Sequence, residues 1–262
     1  MFSVEKPVVR KSKKPLSYSV LLWPLCGMTL LLGLISPAQA TTFTVTTTAD
    51  PGTGACTAAG NGDGCTLREA IAAANAVTDD DTISFASGVT GTINLTTALP
   101  ALSTHMTIQG PGAGSLAVRG EGATDPYRIF TIAADQTVTI SGLTITNGYT
   151  TGNGAVGTTG HLGGGILNDG GTLTLSNCTL SQNTATGQFG GFGGAIVNNV
   201  FDHSSATLTL TNCTLINNSA KAGGGIANAG TVTINNSTIS HNTVSREQPG
   251  FAGAAASGTM AH

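Results

Sequence analysis

"TLTLSNCTLSQN" (Thr172–Asn183) returns as "TLTLTNCTLINN" (Thr207–Asn218) and again as "TVTINNSTISHN" (Thr231–Asn242), after an earlier variant, "TVTISGLTITNG" (Thr137–Gly148). Leu173 and Leu175 alternate with Thr172 and Thr174, the two-residue period of a strand with one buried face. The other copies keep apolar residues there: Val138/Ile140, Leu208/Leu210 and Val232/Ile234. Threonine on the opposite face is β-branched and favours strand. "SN" turns the chain, and the alternation resumes at Cys178 and Leu180. Nothing from 137 to 245 has helical spacing.

A second element is interleaved with the first. "GGGILN" (Gly163–Asn168), "GGAIVN" (Gly193–Asn198) and "GGGIAN" (Gly223–Asn228) recur every 30 residues. Their glycines supply turns that a side chain would obstruct. One copy does not stand alone. Its roughly four buried aliphatics contribute about 1.5–3 kcal/mol each. Against them stand the 24 to 35 residues between copies, each costing about 1–2 kcal/mol of backbone entropy. The copies must stack and share a core. Two or three strands per copy, joined by Gly/Asn turns, make one coil of a parallel β-helix, with coils about 4.8 Å apart. Counting back through "HMTIQGPGAG" (His105–Gly114) predicts an all-β solenoid of about five coils.

Stacking assigns work to particular residues. Asn183, Asn218 and Asn242 end equivalent strands, where stacked amides form a ladder. Cys178 and Cys213 occupy equivalent positions and read as small buried fillers, with a cross-coil disulfide as the alternative. Cys56 and Cys65 flank the loop "CTAAGNGDGC" and are the expected disulfide, with metal binding as a weaker alternative because no histidine is near.

Outward from the repeats, the N-terminus has three parts: basic Lys6 to Lys14, the 16-residue apolar run Val20–Ile35, and the small-x-small site Ala38-Gln39-Ala40. That is the pattern of a secretory signal cut between Ala40 and Thr41. An uncleaved anchor is the rival, but the run is shorter than the roughly 20 residues a span prefers. Export permits disulfides. Charged residues are only 9% of the chain, against roughly 25% in ordinary globular proteins. Without residues 1–40, five cations face twelve acids, a net charge of −7. Five scattered cations do not neutralise a line of phosphates, which excludes nucleic acid as a partner.

"GCTLREAIAAANA" (Gly64–Ala76) is the one helical stretch. Thr66 and Glu69 make a T-x-x-E capping box, and Leu67, Ala70, Ile71 and Ala74 form one apolar stripe. The first coil of a solenoid exposes strand edges and an open core. The helix, pinned by Cys56–Cys65, is expected to cover them. Arg68 is expected to form a local ion pair or to face solvent. The predicted organisation is a signal at 1–40, a cap at 41–82, coils at 83–245 and an irregular tail at 246–262.

"CTLREA" (Cys65–Ala70), behind "TFTVTTTADPGTGAC", resembles the CSLREA domain of exported bacterial proteins, with Thr66 in place of the usual serine. "GGAI" (Gly193–Ile196), with "LSQN", "LINN" and "ISHN", is similar to the repeats of chlamydial polymorphic outer membrane proteins, with Leu180, Leu215 and Ile239 where that family has phenylalanine. The resemblance implies a right-handed parallel β-helix of the pectin-lyase-like type, at or outside the cell surface, with adhesion as the usual proposal. This chain departs from that family by carrying no membrane-barrel sequence. "FAGAAASGTMAH" (Phe251–His262) places Gly253 near the next expected repeat position with no strand after it, so the chain reads as a truncated or frameshifted product.

Catalysis and binding make different demands on the residues. A lyase needs carboxylates gathered around Ca²⁺ and an Arg or Lys base. A hydrolase needs paired acids. Between 137 and 245 the acids are Asp169 and Asp202 and the cation is Lys221, placed in different coils. Asp79, Asp80 and Asp81 form the one acidic run, weak candidates for Ca²⁺ and more simply a solvated turn before the strand "TISFA". His161, His203 and His241 fall at unrelated repeat positions. No catalytic residue and no resident cofactor are expected. The sequence points to a secreted or surface β-helix that binds glycans or surface proteins, as a monomer or by self-association through a sheet edge, with no membrane span once the signal is gone. A polysaccharide lyase or hydrolase is the alternative.

Overall fold

A computed structural model describes residues 40–50, 56, 64–152, 159–187, 190–198 and 206–245. The leader, the tail 246–262, Asp202 and His203 lie outside the described residues. No described helix is long and apolar enough to cross a membrane.

The chain enters through β1 (Thr42–Val45), helix α1 (Leu67–Ala74), β2 (Asp81–Phe85), β3 (Gly91–Asn94), β4 (Met106–Gln109) and β5 (Leu116–Arg119). Four complete coils follow. They are β6 (Phe130–Ile132) to β9 (Tyr149–Thr150) through β7 (Thr137–Ser141) and β8 (Thr144–Thr146); β10 (Ile166–Asn168) to β13 (Thr184–Ala185) through β11 (Thr172–Ser176) and β12 (Thr179–Ser181); β14 (Ile196–Asn198) to β17 (Ser219–Ala220) through β15 (Thr207–Thr211) and β16 (Thr214–Ile216); and β18 (Ile226–Asn228) to β21 (Thr243–Val244) through β19 (Thr231–Asn235) and β20 (Thr238–Ser240). Every pairing is parallel and between successive coils. A wide sheet runs β1-β2-β4-β7-β11-β15-β19, a second β20-β16-β12-β8-β5-β3, and two four-stranded sheets line the remaining sides.

Each complete coil thus has four strands rather than the two or three expected. The difference lies in short segments such as β13, two residues long, whose sequence has no room to show a period. The four complete coils are preceded by further rungs, so that seven strands line the widest sheet. The extra rungs are incomplete early ones, including β1, which precedes the expected first strand.

The 24-residue repeat closes as its spacing implies, with Thr207 opposite Thr231. Inward rows are continuous. Phe43, Ile83, Ile108, Ile140, Leu175, Leu210 and Ile234 stand in register across the wide sheet. Ile93, Val118, Ile145, Leu180, Leu215 and Ile239 do so across the second. Apart from Ile234, these residues belong to or pack against one core.

Turn chemistry keeps the strands short. Asn147, Gln182, Asn217 and His241 occupy one corner in successive coils with φ of 60°, 57°, 56° and 54°. This left-handed conformation suits asparagine. His241 is therefore a corner residue. Gly193 has φ of 63°, and a Cβ there would strike the Ile196 carbonyl oxygen. No larger residue fits that approach.

Candidate functional site

The most regular surface is the outer face of the wide sheet. Alternation along each strand sends one residue in two outward. Thr42, Thr82, Thr107, Thr139, Thr174, Thr209 and Thr233 meet in register, one threonine from every strand. Thr137, Thr172, Thr207 and Thr231 form a second row beside it. A third row holds Thr44, Ser84, Gln109, Ser141, Ser176, Thr211 and Asn235. None of these side chains is charged, and each is half-buried or exposed. Rows lie about 6.6 Å apart and rungs about 4.8 Å apart, so the seven-threonine row is roughly 29 Å long. Threonine is stiff at χ1, which holds the hydroxyls and methyls in a fixed grid.

Two amide ladders run along the stack, one between β12 and β13 and their counterparts in the next coils, the other at the ends of β10, β14 and β18. Asn218 Oδ1 accepts the Asn183 backbone N–H at 2.9 Å and its side-chain N–H at 3.0 Å. Asn242 Oδ1 accepts the same two groups from Asn218 at 3.0 and 2.9 Å. Asn183 and Asn218 are fully buried, so each ladder bond also satisfies a group with no access to water. The second ladder was not foreseen. Asn168 Nδ2 donates to Asn198 Oδ1, and Asn198 Nδ2 to Asn228 Oδ1, each at 2.7 Å. Its signal was the invariant last letter of the three Gly-Gly-x-Ile motifs.

The cap region follows the T-x-x-E reading in its local geometry. Thr66 Oγ1 accepts the Glu69 N–H at 3.2 Å, and Glu69 Oε2 accepts the Thr66 N–H at 2.9 Å. Leu67, Ala70, Ile71 and Ala74 have no exposed surface, and α1 packs on β1 and β2. Cys56 and Cys65 are disulfide-bonded. Arg68 corrects the expectation of a local pair or a solvent-facing group. Its Nε and Nη2 grip both oxygens of Asp50, at 2.8 and 2.9 Å. Nη2 and Nη1 also donate to the carbonyls of Thr97 and Ala98, at 2.8 and 2.6 Å. Burial pushes the Asp50 carboxyl up, but the bonds from Arg68 and Thr96 bring it below its ordinary pKa. The partner lies 18 residues back in the chain, a distance that sequence spacing does not reveal.

The acidic run is not a solvated turn. Asp80 is exposed, but Asp81 is the first residue of β2 and fully buried. The three are not gathered into a ligand set, and no group of three or more His, Cys, Asp or Glu able to hold a metal occurs among the described residues. The strand's alternation turns Asp81 inward and leaves Asp80 outside, which separates them.

Four other titratable groups are buried or half-buried. Cys178 and Cys213 are buried free thiols, beside the carbonyls of Ser176 and Thr211 at 3.3 and 3.4 Å. The side-chain hydrogen bond with Cys213, together with burial, pushes the Cys178 thiol well up, and so suppresses the reactive thiolate. Arg128 donates to the carbonyls of Leu162, Gly163 and Thr159 and to Thr131 Oγ1. Burial lowers its pKa to about 10 despite the charge of Asp169. His161 is buried, with its ring 6.1 Å from that of Phe192. Burial and then Arg128 lower its pKa.

A family model described as a right-handed β-helix region matches residues 124–261. No curated protein and no solved structure matches the chain.

Proposed function

The chain belongs to the right-handed β-helix family, and on that premise we propose that it is an exported, non-catalytic binding protein that adheres through the threonine face of its wide sheet. The observation that carries this reading is the unbroken row of seven threonines from Thr42 to Thr233. A flat, uncharged, hydroxyl-bearing grid suits an extended, uncharged polymer with a repeating array of hydroxyls, above all a neutral polysaccharide. Hydrogen bonds to each rung are individually weak, about 0.5–1.5 kcal/mol, but a long polymer engages many at once. The rigid threonines lose little entropy when it does.

The acidic balance of the exported part argues against polyanions, including polygalacturonate. Export rests on the three-part leader. Placement outside the cell is supported by the resemblance to CSLREA proteins and to polymorphic outer membrane protein repeats. The lyase or hydrolase alternative has only the architecture in its favour: among the described residues no group of three or more His, Cys, Asp or Glu is gathered that could hold a metal, and Arg68 and Arg128 are engaged with Asp50 and with backbone carbonyls.

The test is adsorption of the folded protein to a panel of insoluble neutral and acidic polysaccharides. Replacing Thr139, Thr174 and Thr209 together by arginine is expected to cut binding to a neutral polymer at least about tenfold, with the circular dichroism spectrum unchanged. Full binding by that variant, or selective binding to acidic polymers, would sink the proposal. Incubation with polygalacturonate and Ca²⁺ is expected to yield no unsaturated product, and turnover would establish the lyase instead.

A further inference from the structure

Six inward positions run in register across the wide sheet: Asp81, Met106, Val138, Leu173, Leu208 and Val232. Five are apolar. The one at the head of the row is a carboxylic acid with no exposed surface. Its Oδ1 accepts the backbone N–H of Thr41 at 2.8 Å. Its Oδ2 is buried with no hydrogen-bond partner, and so is Oδ1 of Asp79. Asp79 is close behind, its carbonyl accepting the Asp81 N–H at 3.0 Å. Burial raises the Asp81 pKa, the Thr41 N–H works against that rise, and the charges of Asp79 and Asp80 add to it. His105, next to Met106 on the adjoining strand, accepts the Thr137 N–H at Nδ1.

An acid in a core row is costly unless a cation pairs with it. Among the described residues, the group that donates to the Asp81 carboxylate is the Thr41 nitrogen, and as a peptide amide it carries a single proton. We infer that Asp81 is a buried receptor for a primary ammonium group, namely the new α-ammonium of a chain cut between Ala40 and Thr41. Hydrolysis by an endopeptidase breaks the Ala40–Thr41 C–N bond. Water supplies the oxygen of the new Ala40 carboxylate, and its two protons convert the Thr41 amide N–H into NH₃⁺. The nitrogen then has three donors and a full charge at the place where Oδ1 already meets it. Oδ2 gains a donor, and Asp79 adds favourable potential. Ala40, on the other side of the bond to be cut, is exposed.

The inference rests on the export reading in one respect, the position of the cut, and the two are tested apart. Residues 37–262 form one compact unit, so Thr41–His262 is produced behind a removable fusion whose release leaves Thr41 as the first residue. Release is expected to raise Tm by roughly 2–6 °C at pH 6.5, and Asp81→Asn to abolish that rise. The α-amino pKa should lie above its ordinary value of about 7.7–8.0. The added stability is then complete below that value and is lost as pH rises through the folded-state pKa. A second readout needs no substitution. Acylation of the Thr41 amine at pH 7.5 should be at least about tenfold slower in the folded chain than in urea. Equal Tm before and after release, or acylation at the unfolded rate, overturns the receptor. Intact mass of the exported chain then tests the cut: a first residue other than Thr41 overturns its natural use.

Discussion

The first and the last described rungs of the solenoid present the same problem and answer it differently. At the first rungs the inward residues Phe43 and Ile83 are 7% and 0% exposed, beneath an apolar helix. At the last described coil Ile234, in the same inward row, is 46% exposed, although its neighbour Leu210 is 0% exposed. The alternation of "TVTI" is as good as that of "TLTL", so the pattern does not separate them. Burial in a stack is supplied by the next coil. Ile234 has the right period but only one described rung beside it, and it is exposed. Among the described residues no rung precedes the first, and a helix, a disulfide and a half-buried ion pair stand there.

The largest break in this comparison is a charge under the helix. Ile71→Asp should cost at least about 4 kcal/mol, because the carboxylate is buried without a partner, and the protein should elute as aggregates in size-exclusion chromatography. A well-behaved monomer would show that α1 is dispensable. Next in size is the Cys56–Cys65 bond. Replacing both by serine should lower stability by about 2–4 kcal/mol, read as a denaturation midpoint shift with the far-ultraviolet spectrum retained.

The amide ladder sharpens the same contrast in a single residue type. Asn183→Ala leaves the Gly148 N–H and neighbouring groups without a partner inside the core and should cost about 2–3 kcal/mol. Asn242→Ala, at the exposed end of the ladder, should cost about 1 kcal/mol or less. Equal losses would mean that the last coil is as well covered as the interior. The smallest effect belongs to Ile234→Thr, which should stay within about 0.5 kcal/mol of the parent. A cost above about 2 kcal/mol would show that this side chain is buried in solution.

Much of the fold was readable because stacking writes itself into the chain as repetition. The threonine and aliphatic rows and the Asn183–Asn242 ladder follow from aligning copies. The turn role of His241 follows from alignment with Asn147 and Asn217. Where no copy exists, reading fails. Arg68 reaches Asp50 across a loop, and nothing local announces it. Asp81 looked like the end of a hydrophilic run, and only pairing with β4 shows that it heads an apolar row. The amide ladder through Asn168 was within reach, since its three members share one motif, but a terminal asparagine reads as a turn until its coil neighbours are placed.

By itself the sequence determined the solenoid, its 24-residue last repeat, the helix with its capping box, and the uncharged outer face. Each rests on short-range alternation or on exact repetition, both visible along one dimension. The tertiary structure alone decided which members of each row are dry, whom Arg68 holds, and what Asp81 faces. Those depend on the strand that lies alongside, and a residue's neighbours across a parallel sheet are many positions away in the chain.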